Sequence, residues 1–195
     1  MEIVVTEFIS LDGVVQAPGL PDEDPEGGFA HGGWQMPYGD DLVGAAIDRG
    51  TQRADAFLFG RKTFELWVGH WPNFPDEPFG KVVNPAPKHV VSDSLAESDI
   101  TWGPTSLIRR ADLGPAVEAL RAAPGRDCVV WGSSVLVQAL LADDLVDRLE
   151  LFIAPVVLGG GKSIFPTDGA LRGFELTHLD RASTGAIVTR YERRR

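Results

Sequence analysis

Twice in this chain a short apolar run stops at a glycine that leads straight into the start of a helix, and this arrangement narrows the possible folds more than any other feature. Ala56-Phe57-Leu58-Phe59 ends at Gly60, followed by Arg61-Lys62-Thr63-Phe64-Glu65-Leu66-Trp67. Cys128-Val129-Val130-Trp131 ends at Gly132, followed by Ser133-Ser134 and the nearly continuous apolar stretch from Val135 to Leu141. Runs this short and unbroken suit strands buried on both faces, the condition of a parallel sheet sandwiched between helices. At each junction the peptide N–H groups and the positive pole of a helix point outward, which is a geometry that binds phosphate. Ordinary helix capping explains Gly, Ser and Thr at such positions equally well when either junction is taken alone.

Other segments fit the same frame. Ile3 to Ile9 is rich in β-branched residues and reads as a first strand turned by Leu11-Asp12-Gly13. Pro18 to Asp40, crowded with Gly and Pro, reads as a long surface loop in which Trp34 and Met36 are apolar residues available to cover a ligand as a lid. Packing of the loop on itself is the plainer explanation of Trp34. Asp40 or Asp41 caps a helix reaching about Arg53, and Ala54 to Gly60 is the strand that follows. Trp71 to Pro87 reads as a Pro-rich loop, Lys88 to Ser92 as a strand, Leu113 to Ala122 as a helix capped by Asp112, and Asp127 to Trp131 as a strand. Beyond an extended segment from Val146 to Leu158, the stretches Phe174 to Asp180 and Ala186 to Glu192 alternate as a hairpin around Ser183-Thr184-Gly185. The expected fold class is therefore α/β: three layers, a mixed and mainly parallel sheet, and a C-terminal antiparallel hairpin, in one domain over 1–195.

Composition excludes several functions. A net charge of −10 opposes unspecific binding to nucleic acid or anionic membrane. Arg193, Arg194 and Arg195 are too few to reverse it and read as a solvated tail, and Asp22-Glu23-Asp24-Pro25-Glu26 reads as a solvated loop face. The single cysteine, Cys128, sits in an apolar run and is expected to be a buried, inert thiol. No signal-peptide pattern opens the sequence and no run approaches a membrane span, so a cytoplasmic location is expected. His31, His70, His89 and His178 form no i, i+4 pair, and no metal site is expected. Gly159-Gly160-Gly161-Lys162-Ser163 imitates a nucleoside-triphosphate loop, but Val156 stands where that motif needs glycine and Ile164-Phe165-Pro166 follows where it needs a helix. A Gly-x-Gly-x-x-Gly dinucleotide fingerprint is also missing, so any dinucleotide must be held by another scaffold.

Taken in order, Ile9-Ser10-Leu11-Asp12-Gly13-Val14-Val15, Phe59-Gly60-Arg61-Lys62-Thr63-Phe64-Glu65, Val90-Val91-Ser92 and Val130-Trp131-Gly132-Ser133-Ser134 resemble the dihydrofolate reductase superfamily. Leu151 to Gly161 with Phe165-Pro166 looks more like the reductase domain of the bifunctional riboflavin-biosynthesis deaminase-reductase than like dihydrofolate reductase itself. The resemblance implies an NADPH-dependent oxidoreductase delivering a hydride to a C=N or C=O group of a small heterocyclic or ribosylaminopyrimidine-like substrate. It implies that Gly60, Arg61, Lys62 and Thr63 hold the adenosine phosphates, with Ser92 beside the adenosine. Gly132, Ser133, Ser134 and Val135 would approach the diphosphate, and the backbone at Phe8 and Ile9 the nicotinamide. Asp12 would lie at the mouth of the substrate cleft, and Asp41 is the nearest candidate for an acid on the first helix. A homodimer is expected, with the apolar segment Leu149 to Leu158 available to support it. The competing reading is a homodimeric module on the same fold that binds a nucleotide or flavin without catalysis.

Overall fold

A computed structural model describes residues 1–194, which places Arg195 of the expected tail outside the described residues. One eight-stranded sheet carries all the strands: β1 (Glu2–Ser10), β2 (Ala54–Gly60), β3 (Lys88–Val91), β4 (Thr105–Ile108), β5 (Asp127–Trp131), β6 (Arg148–Ala154), β7 (Phe174–Arg181) and β8 (Ile187–Arg193), in the order β4-β3-β2-β5-β1-β6-β8-β7. β1 to β6 run parallel, β8 pairs antiparallel with β6, and β7 pairs antiparallel with β8 on the outer edge. The five α-helices among the described residues are α1 (Asp41–Arg53), α2 (Arg61–Val68), α3 (Pro78–Val83), α4 (Leu113–Ala122) and α5 (Ser134–Ala142).

Alternation along the strands sorts the core into two layers. Ile3, Val5, Leu58, Cys128 and Val130 face Val117 and Leu120 of α4 and Val137 and Leu140 of α5. Phe57, Phe59 and Val129 point the other way, against Phe64 and Trp67 of α2 and Val83 of α3, while Phe152 and Val188 meet Val43 and Ala46 of α1 on that side. The three-layer α/β reading with its C-terminal hairpin is thus the observed architecture. Cys128 is wholly enclosed, and burial pushes its thiol up to about 12.

Four sequence expectations change. The Trp71 to Pro87 loop contains α3, which starts with Pro78 in its first turn, where a missing N–H is harmless. Its C-terminal carbonyls are met by Lys88, whose buried ammonium donates to the carbonyls of Val83 and Asn84 at 2.9 Å each. β4 was not anticipated, because an edge strand of four half-exposed residues carries no apolar run. Arg193 is not a solvated tail residue: it lies in β8, and its guanidinium holds Asp144 and the Gly173 carbonyl. The β6 part of Leu149 to Leu158 has no free strand edge, since it is flanked by β1 and β8 inside the sheet.

At the N-terminal ends of the parallel strands lies a buried ion network. Arg148 of β6 donates to Asp127 of β5 at 2.6 Å, and Arg53 at the end of α1 reaches the same carboxylate at 2.8 Å. Arg148 also meets Glu2 of β1 at 2.5 Å. The Asp127 side chain is 2% exposed and that of Arg148 5%, so removing one partner leaves the other charged and desolvated. Asp127→Ala is expected to lower unfolding free energy by about 3–5 kcal/mol. Urea denaturation checks this, and a loss below 1 kcal/mol would show that the network does not brace the sheet.

Candidate functional site

β2 hands its chain toward β3 on the α2–α3 face, whereas its neighbour β5 hands its chain toward β6 on the α4–α5 face. The two strands therefore part at their C-terminal ends, and open α/β sheets form their ligand crevices at such divergences. A cleft of about 530 Å³ lies there. Glu7 and Phe8 of β1 and Trp131 of β5 line it, the starts of α2 and α5 wall it, and Ser92, Asp24, Glu26 and Lys162 complete its border.

Ser133 joins the two helix starts. Its hydroxyl oxygen accepts from the Gly60 N–H at 2.7 Å and shares a hydrogen bond with the Thr63 hydroxyl at 2.7 Å. Both glycines follow from this closeness. A Cβ on residue 60 would sit 2.8 Å from the Ser133 Oγ, and one on residue 132, where φ is +67°, would sit 3.0 Å from the Thr63 Oγ1. Ser133 itself is held at φ 73°, a left-handed conformation that costs a non-glycine residue roughly 1 kcal/mol and that its two hydrogen bonds offset. Its hydroxyl is thus committed to the protein. What remains for an anion is the first-turn N–H groups of α2 and α5, neither capped by a side chain, together with Ser134.

The two expected cations differ in availability. Arg61 is paired with Glu65 one turn along α2 at 2.7 Å, both half-exposed; such pairs are worth about 0.3–0.5 kcal/mol and exchange readily for a bidentate phosphate. Lys62 is held more firmly, donating to Glu26 at 2.6 Å and to Asp24 at 3.3 Å. Lys162 contacts the same two carboxylates, and the hydrogen bonds of Lys162 and then Lys62 hold the Glu26 carboxyl down at about 2. The acidic stretch is therefore not a solvated face: part of it straps the cleft border to α2. Lys162, which matters in the sequence only as part of a failed nucleotide motif, acquires a place at the site through this contact.

Other expected site residues fall apart spatially. Gly60, Arg61, Lys62, Thr63, Ser92, Gly132, Ser133, Ser134, Val135 and Phe8 all line the cleft, whereas the Ile9 side chain is buried in the α4–α5 core. Asp12 is outside the lining: its carboxylate accepts from the Ser10 hydroxyl at 2.6 Å and from the N–H groups of Leu158 and Gly159, which lowers it to about 2 and makes it a turn brace. Asp41 is an exposed first-turn residue of α1, and Asp40 is the cap, accepting from the N–H groups of Leu42 and Val43. Trp34 is buried, with its indole N–H donating to the Gln16 carbonyl at 2.8 Å, while Met36 is 62% exposed; neither reaches the cleft lining. Trp34 is thus packing within its loop.

Glu7 escaped the sequence reading. It lines the cleft, is 3% exposed, and its Oε1 has no hydrogen-bond partner. Burial, and then the charge of Glu23, push its carboxyl well above the usual carboxylate range. A carboxylate at an inward position of the first strand, in register with Ile3, Val5 and Ile9, is the signal that could have singled it out.

With that geometry in place, a family profile for the RibD C-terminal domain matches residues 1–188. The chain belongs to that family. Among relatives of this RibD C-terminal domain protein, the uncharacterized protein YyaP of Bacillus subtilis (strain 168) is 32% identical over 115 residues, a match spanning 57% of this chain and 59% of that protein. A pyrimidine reductase-like protein from Corynebacterium diphtheriae superposes with a TM-score of 0.66 at 17% identity, over 100% of this chain and 92% of that one. Dihydrofolate reductase from Enterococcus faecalis, complexed with NADP(H), gives a TM-score of 0.60 at 14% identity, over 100% and 97% of the two chains. These likenesses establish a dihydrofolate reductase-like fold. Among the described residues no helix is long and apolar enough to cross a membrane, and no three His, Cys, Asp or Glu side chains gather as a metal-holding group.

Ser133→Ala removes the acceptor of the Gly60 N–H and the partner of Thr63. It is expected to destabilise the chain by about 1–3 kcal/mol, the range for stranding a buried polar group, whereas Ser134→Ala should stay within about 0.5 kcal/mol. Parallel denaturation curves decide it; equal stability of the two variants would mean that Ser133 does not join the helix starts.

Proposed function

We propose that this RibD C-terminal domain protein is an NADPH-dependent reductase that adds a hydride to a C=N or C=O group of a small heterocyclic or ribosylaminopyrimidine-like acceptor. The observation that carries the reading is the pair of uncapped helix starts held together at Ser133 and opening onto one cleft. A dinucleotide places two adjacent phosphates, and two converging helix N-termini are the backbone arrangement that meets them. The residues present fit the cofactor. First-turn N–H groups of α2 and α5 would hold the diphosphate, Arg61 and Lys62 would supply charge for a further phosphate on the adenosine ribose, and Phe8 with Trp131, 6.0 Å apart edge to face, would offer aromatic surface for a ring.

When bound, the reduced nicotinamide supplies the hydride. The chain's own part would be to hold the acceptor in the cleft, where Phe8, Trp131 and Leu136 would limit water. Arg61 would exchange Glu65 for phosphate. Lys62 must exchange Asp24 and Glu26, so the acidic strap sets a threshold that only a strong anion clears. The likeness to a pyrimidine reductase-like protein of Corynebacterium and to a dihydrofolate reductase of Enterococcus with NADP(H) supports the same chemistry here.

The expected assembly is a homodimer placed on the outer strand, since β7 pairs on one side only and leaves Leu176 and Leu179 about half exposed. Light scattering should give the mass of two chains, and a monomer mass at working concentration would remove that part of the reading. For the cofactor, Trp67 and Trp131 line the cleft, so NADPH should quench tryptophan fluorescence. Arg61→Ala is expected to weaken NADPH about tenfold, about 1.4 kcal/mol, with NADH changed less than twofold. If the wild-type chain takes up neither cofactor, the reductase reading fails.

A further inference from the structure

Two buried side-chain polar atoms among the described residues lack a hydrogen-bond partner, the Nε of Arg148 and the Oε1 of Glu7. The first lies 3.3 Å from Glu150 inside the ion network and needs no ligand to explain it. The second lines the cleft. A carboxyl group enclosed beside apolar side chains without a hydrogen bond is unfavourable to fold around, and an apolar residue would serve the α4–α5 core better at that register. A group of this kind is accounted for when a ligand supplies the missing partner.

The surroundings favour the uncharged carboxyl. Glu23, from the loop after β1, is the charge that acts on Glu7, and it carries the same sign. The cleft's lysines do not offset it: Lys62 and Lys162 are both engaged by Asp24 and Glu26. Arg61 is paired with Glu65, and on the β3 side Asp93 accepts from the Arg110 N–H. A neutral carboxylic acid has an O–H to give, whereas the ionised form can only accept.

We propose that Glu7 is the proton donor of this cleft, acting on an acceptor bound uncharged through a C=O or unprotonated C=N group. The proposal rests on the reductase reading and narrows its substrate class. As the acceptor carbon takes up hydride, its π pair moves to the heteroatom, the Glu7 O–H bond breaks, and the proton forms the new O–H or N–H bond. The reduced nicotinamide is oxidised by two electrons, and Glu7 is left as a carboxylate that regains its proton from solvent. An acceptor already protonated would instead draw Glu7 into an ion pair, so the enclosed neutral acid selects against cationic iminium substrates.

The test uses the full chain with 13C-labelled glutamate side-chain carboxyls, the Glu7 resonance being identified by its loss in Glu7→Gln. In the NADPH-bound wild type the Glu7 signal should remain that of a protonated carboxyl at pH 7, and Glu7→Gln should bind NADPH within twofold of wild type. With pyridine-3-carbaldehyde as a neutral carbonyl probe, turnover should be present below the midpoint of that titration and lost as pH rises through it. Glu7→Gln should lower kcat at least 100-fold, and Glu7→Asp should restore part of it. A carboxylate already ionised at pH 7 in protein that binds NADPH overturns the proton donor and leaves the reductase reading intact. Undiminished turnover in Glu7→Gln, or no reduction of the aldehyde by the wild type, overturns it as well. A tenfold loss of NADPH affinity in Glu7→Gln would make Glu7 a cofactor anchor instead, whereas a wild type that binds no NADPH removes the reductase reading itself.

Discussion

The cleft depends on two neighbouring strands being held together while their chains leave in opposite directions. β2 and β5 pair in register from Ala56 with Cys128 to Leu58 with Val130, and immediately beyond that ladder one chain enters α2 and the other α5. Parting strands leave polar backbone at both helix starts, and without a link between them the two termini would drift. Ser133 supplies the link through the Gly60 N–H and the Thr63 hydroxyl, and the closeness it demands leaves no room for a side chain on residue 60 or 132. The outward-facing polar backbone follows from this, because the hydroxyl groups that could have served as caps are used between the helices and the first-turn N–H groups stay outward.

Around that junction, charge is arranged in two unlike ways. At the N-terminal ends of the strands, Arg148 and Asp127 are buried and mutually compensated, so their association is about holding β1, β5 and β6 in place. At the C-terminal ends, Lys62 and Lys162 meet Asp24 and Glu26 in a network nearer to solvent. The same interaction type therefore braces one end of the sheet and ties a loop to the cleft border at the other, and burial makes the difference.

Glu7 belongs to neither arrangement. It is buried like Asp127, yet no salt bridge to an arginine compensates it, and the charge of Glu23 acts on it with the same sign. An uncompensated acid beside a cleft is a departure from the rule that the rest of this core obeys, and such departures are concentrated at functional sites.

What the sequence determined by itself was everything that depends on local pattern. The apolar runs ending at Gly60 and Gly132, the helix from Asp41 to Arg53 and the hairpin around Ser183-Thr184-Gly185 were legible because strand and helix periods and turn residues act over a few positions. Arg61, Lys62 and Ser92, all within segments that carry the resemblance, line one cleft together with Phe8. Only the tertiary structure decided which polar residues still have a group to offer. Asp12 and Ser133 have the right chemistry but give it to backbone and side-chain partners, some of them more than 70 residues away in the chain. Among the described residues the Glu7 Oε1 has no such partner, and Asp24 and Glu26 find Lys62 and Lys162 across loops that no local pattern relates. Hydrogen-bond satisfaction and desolvation are properties of the folded neighbourhood, and a residue's availability for chemistry is settled there.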